Sequence, residues 1–316
     1  MAFEDGLGTD PSHQRDNQYY SLSAYDIMAR TISLWSRKII QYITIVGIIG
    51  AVCVAFSFIL LNSLFGLIGI IEADPLSYLV TLLLDSVPDF MLIVVTVGFA
   101  FFAFVLTAIT SGAAIKFTLD EYGGDGGNVG TSFSHSFGRV LNIIILQIIL
   151  SFFVAITLTP ATILTTQALD MIDISDFMNP IFPPGSIELL MEGMGLFIVG
   201  GIFLIYINVR FAPALAIVID TDLSAIDSLK RSWELTSGSF FHVFGSYILL
   251  NVAVLILGAV VTIVLSFTFL PDAYLFLLQP LVSALLFSAL SYIFTAVLYR
   301  DLSSRSGTSN LPSFLG

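Results

Sequence analysis

The sequence predicts an all-α, polytopic membrane protein with six transmembrane helices, and three observations predict it. Of the 316 residues, 57% are hydrophobic and only 11% charged, with mean hydropathy +0.97; average soluble domains carry about 25% charged residues. Six uncharged or nearly uncharged runs are each long enough to cross the bilayer, for which about 20 apolar residues suffice. The basic residues fall in alternate connections between those runs. This composition excludes an ordinary soluble enzyme, and it equally excludes a disordered chain, which needs low hydrophobicity and high charge.

A polar tail, 1–22, comes first, and no apolar h-region precedes the first run, so no signal peptide is expected. The membrane domain occupies 23–301. Its spans are Ile39–Ile71, Phe90–Ile115, Val140–Leu169, Gly193–Ile219 (interrupted only by Arg210), Leu235–Pro271 and Ala273–Tyr299. The excess length of several runs implies tilt, or helix continuing into the interface. A short tail, 302–316, closes the chain. All eleven Lys and Arg lie in or beside the N-terminal segment, 116–139, 210–231 and the C-terminal segment. The other connections, 72–89, 170–192 and residue 272, hold ten acids and no base. The positive-inside rule then places both termini in the cytoplasm of a multi-pass cell-membrane protein. The stretches Leu76–Met91 and Met171–Met191 mix apolar residues with acids and are expected to lie on the membrane surface.

Each odd-numbered span follows a short amphipathic segment with matching landmarks. These are Ser23…Asp26…Arg30, Ser132…His135…Arg139 and Ser224…Asp227…Arg231, with serine and arginine seven apart each time. In the Ser-x-x-Asp form the hydroxyl caps free amides, and an acid three residues on suits a helix N-terminus. His135 takes the acid's place in the middle copy. In the third copy Ile226, Leu229 and Trp233 share one face, opposite Asp227, Lys230, Arg231 and Glu234. That pattern fits an interfacial helix, stopped by Gly238. The even spans end alike, at Asp120, Asp220 and Asp301. The expected architecture is three pseudo-repeated hairpins (about 23–120, 132–220 and 224–301), each preceded by a cytoplasmic amphipathic helix. Small residues at Gly47, Ala51 and Ala55, at Ala108 and Gly112, and at Ala284 and Ser288 mark close helix contacts.

The stretch from Val209 through Arg210, Pro213 and Asp220, then Arg231, Ser232, Leu235, Thr236, Gly238 and Phe240 or Phe241, resembles a known pattern. It is similar to the membrane domain associated with glycerophosphoryl diester phosphodiesterases, and to that domain's stand-alone relatives of unknown function. The match covers about 40 residues, and the six-span layout extends it loosely. The resemblance implies a membrane domain of this type, and no phosphodiesterase activity: a catalytic barrel needs about 250 residues, and 17 follow Tyr299.

Chemistry-bearing residues are sparse. Cys53 is the sole cysteine and the histidines are His13, His135 and His242, which leaves no disulfide, metal or cofactor site to expect. A formal charge of −12 argues against nucleic acid as a partner. The loop Gly123–Gly130 lacks a P-loop ending, and no serine has a nucleophile-elbow context. No enzyme is expected. The candidate anion- or lipid-contact and motif residues are Arg210, Pro213, Asp220, Arg231, Trp233 and Gly238. An arginine ten residues inside the Asp220 boundary costs roughly 3 kcal/mol near the midplane. Either it holds an anion, or Pro213 bends the helix and Arg210 snorkels to the headgroups. The expected role is a scaffold, assembly factor or lipid-interacting accessory, with the lipid bilayer and other membrane proteins as partners. The alternative is a transporter or channel for a small or anionic solute, with Arg210 in its site.

Overall fold

A computed structural model describes residues 22–65, 89–172, 183–268 and 272–305. Among them there is no strand, and six stretches are long and apolar enough to cross a membrane: Ile39–Ser57, Ile93–Gly123, Val129–Met171, Ser186–Asp220, Phe240–Ser266 and Leu278–Arg305. The protein is therefore a helical, multi-pass membrane protein. Of the surface stretches expected at Leu76–Met91 and Met171–Met191, residues 76–88 and 173–182 fall outside the described residues, as do most of both tails, and Ser186–Met191 opens the fourth span's helix.

Helix α1 (Ala24–Arg37) starts at a complete capping box: the Ser23 hydroxyl accepts from Asp26 N–H, and the Asp26 carboxylate accepts from Ser23 N–H. Hydrogen bonds from Ser23, the side-chain one first, hold the Asp26 carboxyl below the usual carboxylate range. Lys38 breaks the helix, and the first span follows as α2 (Ile39–Tyr42), a π turn (Ile43–Gly47) and α3 (Ile48–Phe65). Span two is α4 (Asp89–Gly123) and span three α5 (Val129–Met171). Span four is α6 (Ser186–Phe211) continued by α7 (Ala214–Asp220). Then come α8 (Ala225–Ser237), span five as α9 (Phe240–Ser266), and span six as α10 (Asp272–Phe287) with α11 (Leu290–Arg305).

The middle hairpin departs from expectation. Residues 132–139 do not form a separate helix ahead of span three; they are the first turns of the 43-residue α5. Nothing between them and the span breaks the helix: Gly138 stays helical, whereas Lys38 and Gly238–Ser239 interrupt the other two copies. The cap is also one turn earlier. Asn128, not Ser132, accepts from the free amides of Gly130 and Thr131. With Ser23, Asn128 and Ser224 as caps, the residues eight positions on, Thr31, Ser136 and Ser232, are all 0% exposed.

The core sits at one end of the bundle, here the basal end, where α1, α8 and the close of α11 lie. Helices α4, α7 and α11 pack against one another pairwise. Their Ala114, Phe117, Ile217, Val218, Val297 and Leu298 belong to one buried cluster. Around this trio, each preceding segment bonds to a carbonyl of an even-numbered span. Ser136 Oγ of α5 donates to Ile109 C=O of α4 at 2.6 Å. Ser232 Oγ of α8 donates to Arg210 C=O of α6 at 2.8 Å. Trp35 Nε1 of α1 donates to Leu286 C=O of α10 at 2.8 Å, beside the break between α10 and α11. Away from this end the helix faces are largely apolar and exposed, as in Val97, Phe152, Ile202 and Leu255, which suits contact with lipid.

Close helix contacts lie at Gly47, Gly112, Ala284 and Ser288 among the small residues expected to make them. A Cβ on Gly47 would overlap the Leu285 carbonyl, and one on Gly50 would meet Ala284 and Ser288. Gly112 packs on Ser136 and Ile143. A further seam joins α5 to α6: Ser186, Gly193, Gly200 and Ile207, seven apart along α6, are all buried, with Gly193 against Thr165 and Gly200 against Thr157.

Candidate functional site

Span four is broken three residues beyond Arg210. Pro213 has no N–H to give to Val209 C=O, so α6 stops at Phe211 and α7 begins after the proline, at φ −82°. The break lets α8 fold back over the end of α6. There Ser232 Oγ and Thr236 Oγ1 both donate to the Arg210 carbonyl, at 2.8 and 3.2 Å. Two buried hydroxyls thus hold the backbone from which the arginine projects. The double variant Ser232→Ala/Thr236→Val strips this carbonyl of both, and is expected to lower stability by about 1–2 kcal/mol; thermal unfolding of the purified chain checks it, and an unchanged midpoint overturns it.

The Arg210 guanidinium lies among three rings. Its Cζ is 4.7 Å from the Trp233 ring centroid, 5.3 Å from Tyr206 and 5.3 Å from Phe240. The Nε–H donates to Tyr206 Oη at 3.2 Å, and one terminal nitrogen donates to Ser237 Oγ at 3.4 Å. The rings also touch each other, Tyr206 on Trp233 at 6.0 Å and on Phe240 at 5.5 Å. A cation over ring faces is attracted by their quadrupoles, by ~0.5–2 kcal/mol depending on solvation. No carboxylate among the described residues reaches Arg210. Three acids that follow it in sequence are engaged elsewhere. Asp220 accepts from Tyr299 Oη at 2.9 Å and faces Arg300 at 3.4 Å. Asp222 pairs with Arg139, and Glu234 with Arg231 at 3.1 Å.

Of the expected site residues, the structure brings Arg210 and Trp233 together, and Pro213 creates the break that makes this possible. Gly238 ends α8 at the cage's rim, next to Ser237, but in right-handed backbone (φ −86°), so its role does not require a left-handed glycine. Asp220 and Arg231 stand apart, in the pairs just given. Tyr206, Ser237 and Phe240 are additions. Tyr206 could have been found as the residue four before Arg210 on one helix face; Ser237 and Phe240 lie across a helix break, where spacing carries no such signal. Between the two phenylalanines of the motif, Phe240 enters the cage and Phe241 is 84% exposed.

A second polar cluster carries no sequence signal. Asp301, 2% exposed, accepts from Leu22 N–H at 2.6 Å, from His242 Nε2 at 3.0 Å and from Arg305 Nε at 2.8 Å; Arg305 also donates to Leu22 C=O. His242 has no carboxylate nearby in sequence, yet folding sets one against it from 59 residues away. His135 meets a backbone carbonyl instead, that of Ile219 at 2.9 Å. Among the described residues no group of His, Cys, Asp and Glu could hold a metal ion.

Residues 127–301, more than half of the chain, match the model of a family described as a domain of unknown function, DUF7847. The chain belongs to the DUF7847 family. No curated protein and no solved structure matches it. The DUF7847 region opens beside the Asn128 cap, closes at Asp301, and contains the whole Arg210 cage. The α1 segment and the first two spans precede it, so the docking of α1 on α11 joins the family region to chain outside it.

Proposed function

We propose that this protein is a non-catalytic scaffold or lipid-interacting accessory of the cell membrane, with both termini in the cytoplasm and the basal end facing it. It is built as three hairpins closed into a ring, each opened by an amphipathic segment that docks on an inward span of another hairpin. The carrying observation is the basal centre. Alanine, isoleucine, valine, leucine and phenylalanine from α4, α7 and α11 fill it, and a side-chain-to-carbonyl bond ties each surrounding segment to an inward span. A transporter would need a polar path through that centre, and the packing there supports the scaffold instead. The equivalent caps at Ser23, Asn128 and Ser224 support the repeat. The likeness of the Val209–Phe241 stretch to the phosphodiesterase-associated membrane domain belongs to this proposal, without the enzyme's activity. Partners are the bilayer and other membrane proteins.

The test has two arms. Proteoliposomes of the full chain are expected to show no protein-dependent flux of phosphate, sulfate or chloride; a saturable flux overturns the scaffold reading. Single cysteines at Ser12 or Ser304, with Cys53 replaced, are expected to label only after permeabilisation, and those at Ser86 or Asp173 from outside. External labelling at position 304 overturns the orientation.

A further inference from the structure

We propose that the Arg210 cage is a binding site for the phosphate of an anionic phospholipid in the leaflet at the basal end. The inference rests on the membrane placement just given and names a ligand for this site. Four observations carry it. The guanidinium is only partly buried, and no acid among the described residues neutralises it, although Asp220, Asp222 and Glu234 are all near in sequence. Its donors are only partly used: Nε serves Tyr206 and one terminal nitrogen reaches Ser237 at 3.4 Å. The rim is open, with Trp233 40% exposed and Ser237 and Gly238 also exposed. The surroundings are those of a lipid: the bordering helix α9 exposes Phe241, Ile248, Val252 and Leu255, and α6 exposes Ile198, Ile202 and Ile205.

The chemistry follows from these parts. Three rings hold the guanidinium, so its planar fork is already ordered when an anion arrives. A phosphate oxygen pair accepts from the free terminal N–H groups, bonds that are shorter and stronger than neutral ones. The Ser237 hydroxyl stands beside the same nitrogen and gives its own proton to the Trp233 carbonyl at 2.6 Å, which ties the rim to the cage. Trp233 and Tyr206 are the residue types that settle at headgroup depth, and the acyl chains then run along the exposed faces of α6 and α9. At the cap-aligned positions that correspond to Trp233, the other two segments carry Ile32 and Phe137. The matching serine-to-carbonyl bond of the middle segment falls on Ile109, where the third segment meets Arg210. The pairing of arginine with tryptophan is thus particular to one hairpin interface.

The test is a lipid titration of the detergent-solubilised full chain, read by native mass spectrometry with phosphatidylglycerol and phosphatidylcholine as probes. One phosphatidylglycerol is expected to bind about tenfold or more tighter than phosphatidylcholine, and Arg210→Leu to lose that margin. Arg210→Lys, which keeps the charge without the fork, is expected to bind several-fold more weakly than the native chain, and it serves where Arg210→Leu fails to fold. Lys230→Leu removes an exposed cation from the same helix as Trp233, and should leave the affinity unchanged. Equal binding by the native chain and both Arg210 variants, or an equal loss in Lys230→Leu, overturns the site. Displacement by excess inorganic phosphate overturns the lipid as ligand and assigns a dissolved anion. The flux assay is read separately, so failure of the scaffold reading and failure of the lipid site are distinct results.

Discussion

Asp301→Ala is expected to destabilise the protein by about 3–5 kcal/mol, the usual cost of removing one member of a buried charged pair. The carboxylate is fully covered and answers three donors at once: Leu22 N–H, His242 Nε2 and Arg305 Nε. Without it the Arg305 guanidinium keeps its charge in a partly buried place, and the Leu22 amide loses its acceptor. Asp301→Asn should cost less, because its carbonyl oxygen still accepts from Leu22 and only the oxygen shared by His242 and Arg305 is replaced. Thermal unfolding in detergent measures both, and limited proteolysis near Leu22 reports whether the start of α1 has come loose. A midpoint for Asp301→Ala within about a degree of the native chain would sink this account. The triple variant with leucine at 301, 242 and 305 is expected to recover part of the loss, since an apolar set leaves no orphaned charge.

Gly47→Val is expected to cost on the order of 3 kcal/mol, the upper part of the range for overpacking. The first span meets the sixth here through backbone: a Cβ on Gly47 would sit on the Leu285 carbonyl, with Leu285 Cα 3.4 Å away. Backbone cannot turn aside as a side chain does. The π turn at Ile43–Gly47 and the buried Tyr42 and Ile45 hold the position from the other side. Gly98, which has open space around it, is the control: Gly98→Val should leave unfolding within about 0.5 kcal/mol of native. Equal effects at the two glycines would show that helix propensity rather than contact governs the first.

Six spans are legible in the sequence because a 20-residue apolar run is a composition signal that needs no tertiary knowledge. Two of the short helices ahead of odd spans are legible too, since Ser23 and Ser224 cap through contacts three residues away. The middle copy differs for a physical reason: Ser132 offers the same local spacing, but Asn128 precedes the first helical turn and its side chain reaches two free amides, so it wins the cap. Arg210 and Trp233 stand out by type and place. Their partners do not, because the cage needs the Pro213 break to fold α8 across α6. Asp301 is visible only as the end of a span; that Leu22, His242 and Arg305 converge on it depends on contacts between the two ends of the chain, which no local pattern encodes.

The docking of α1 on α10 and α11 has a bearing on biogenesis. A chain made from its N-terminus presents Leu22 and Trp35 long before Asp301 and Leu286 exist to receive them. During synthesis the buried face of α1 must therefore rest on the bilayer surface or a chaperone, a role its amphipathic character suits. The first hairpin cannot settle until α10 and α11 have been made. Insertion can proceed hairpin by hairpin, but closure of the bundle waits on a contact between residues 251 apart in sequence, Trp35 and Leu286.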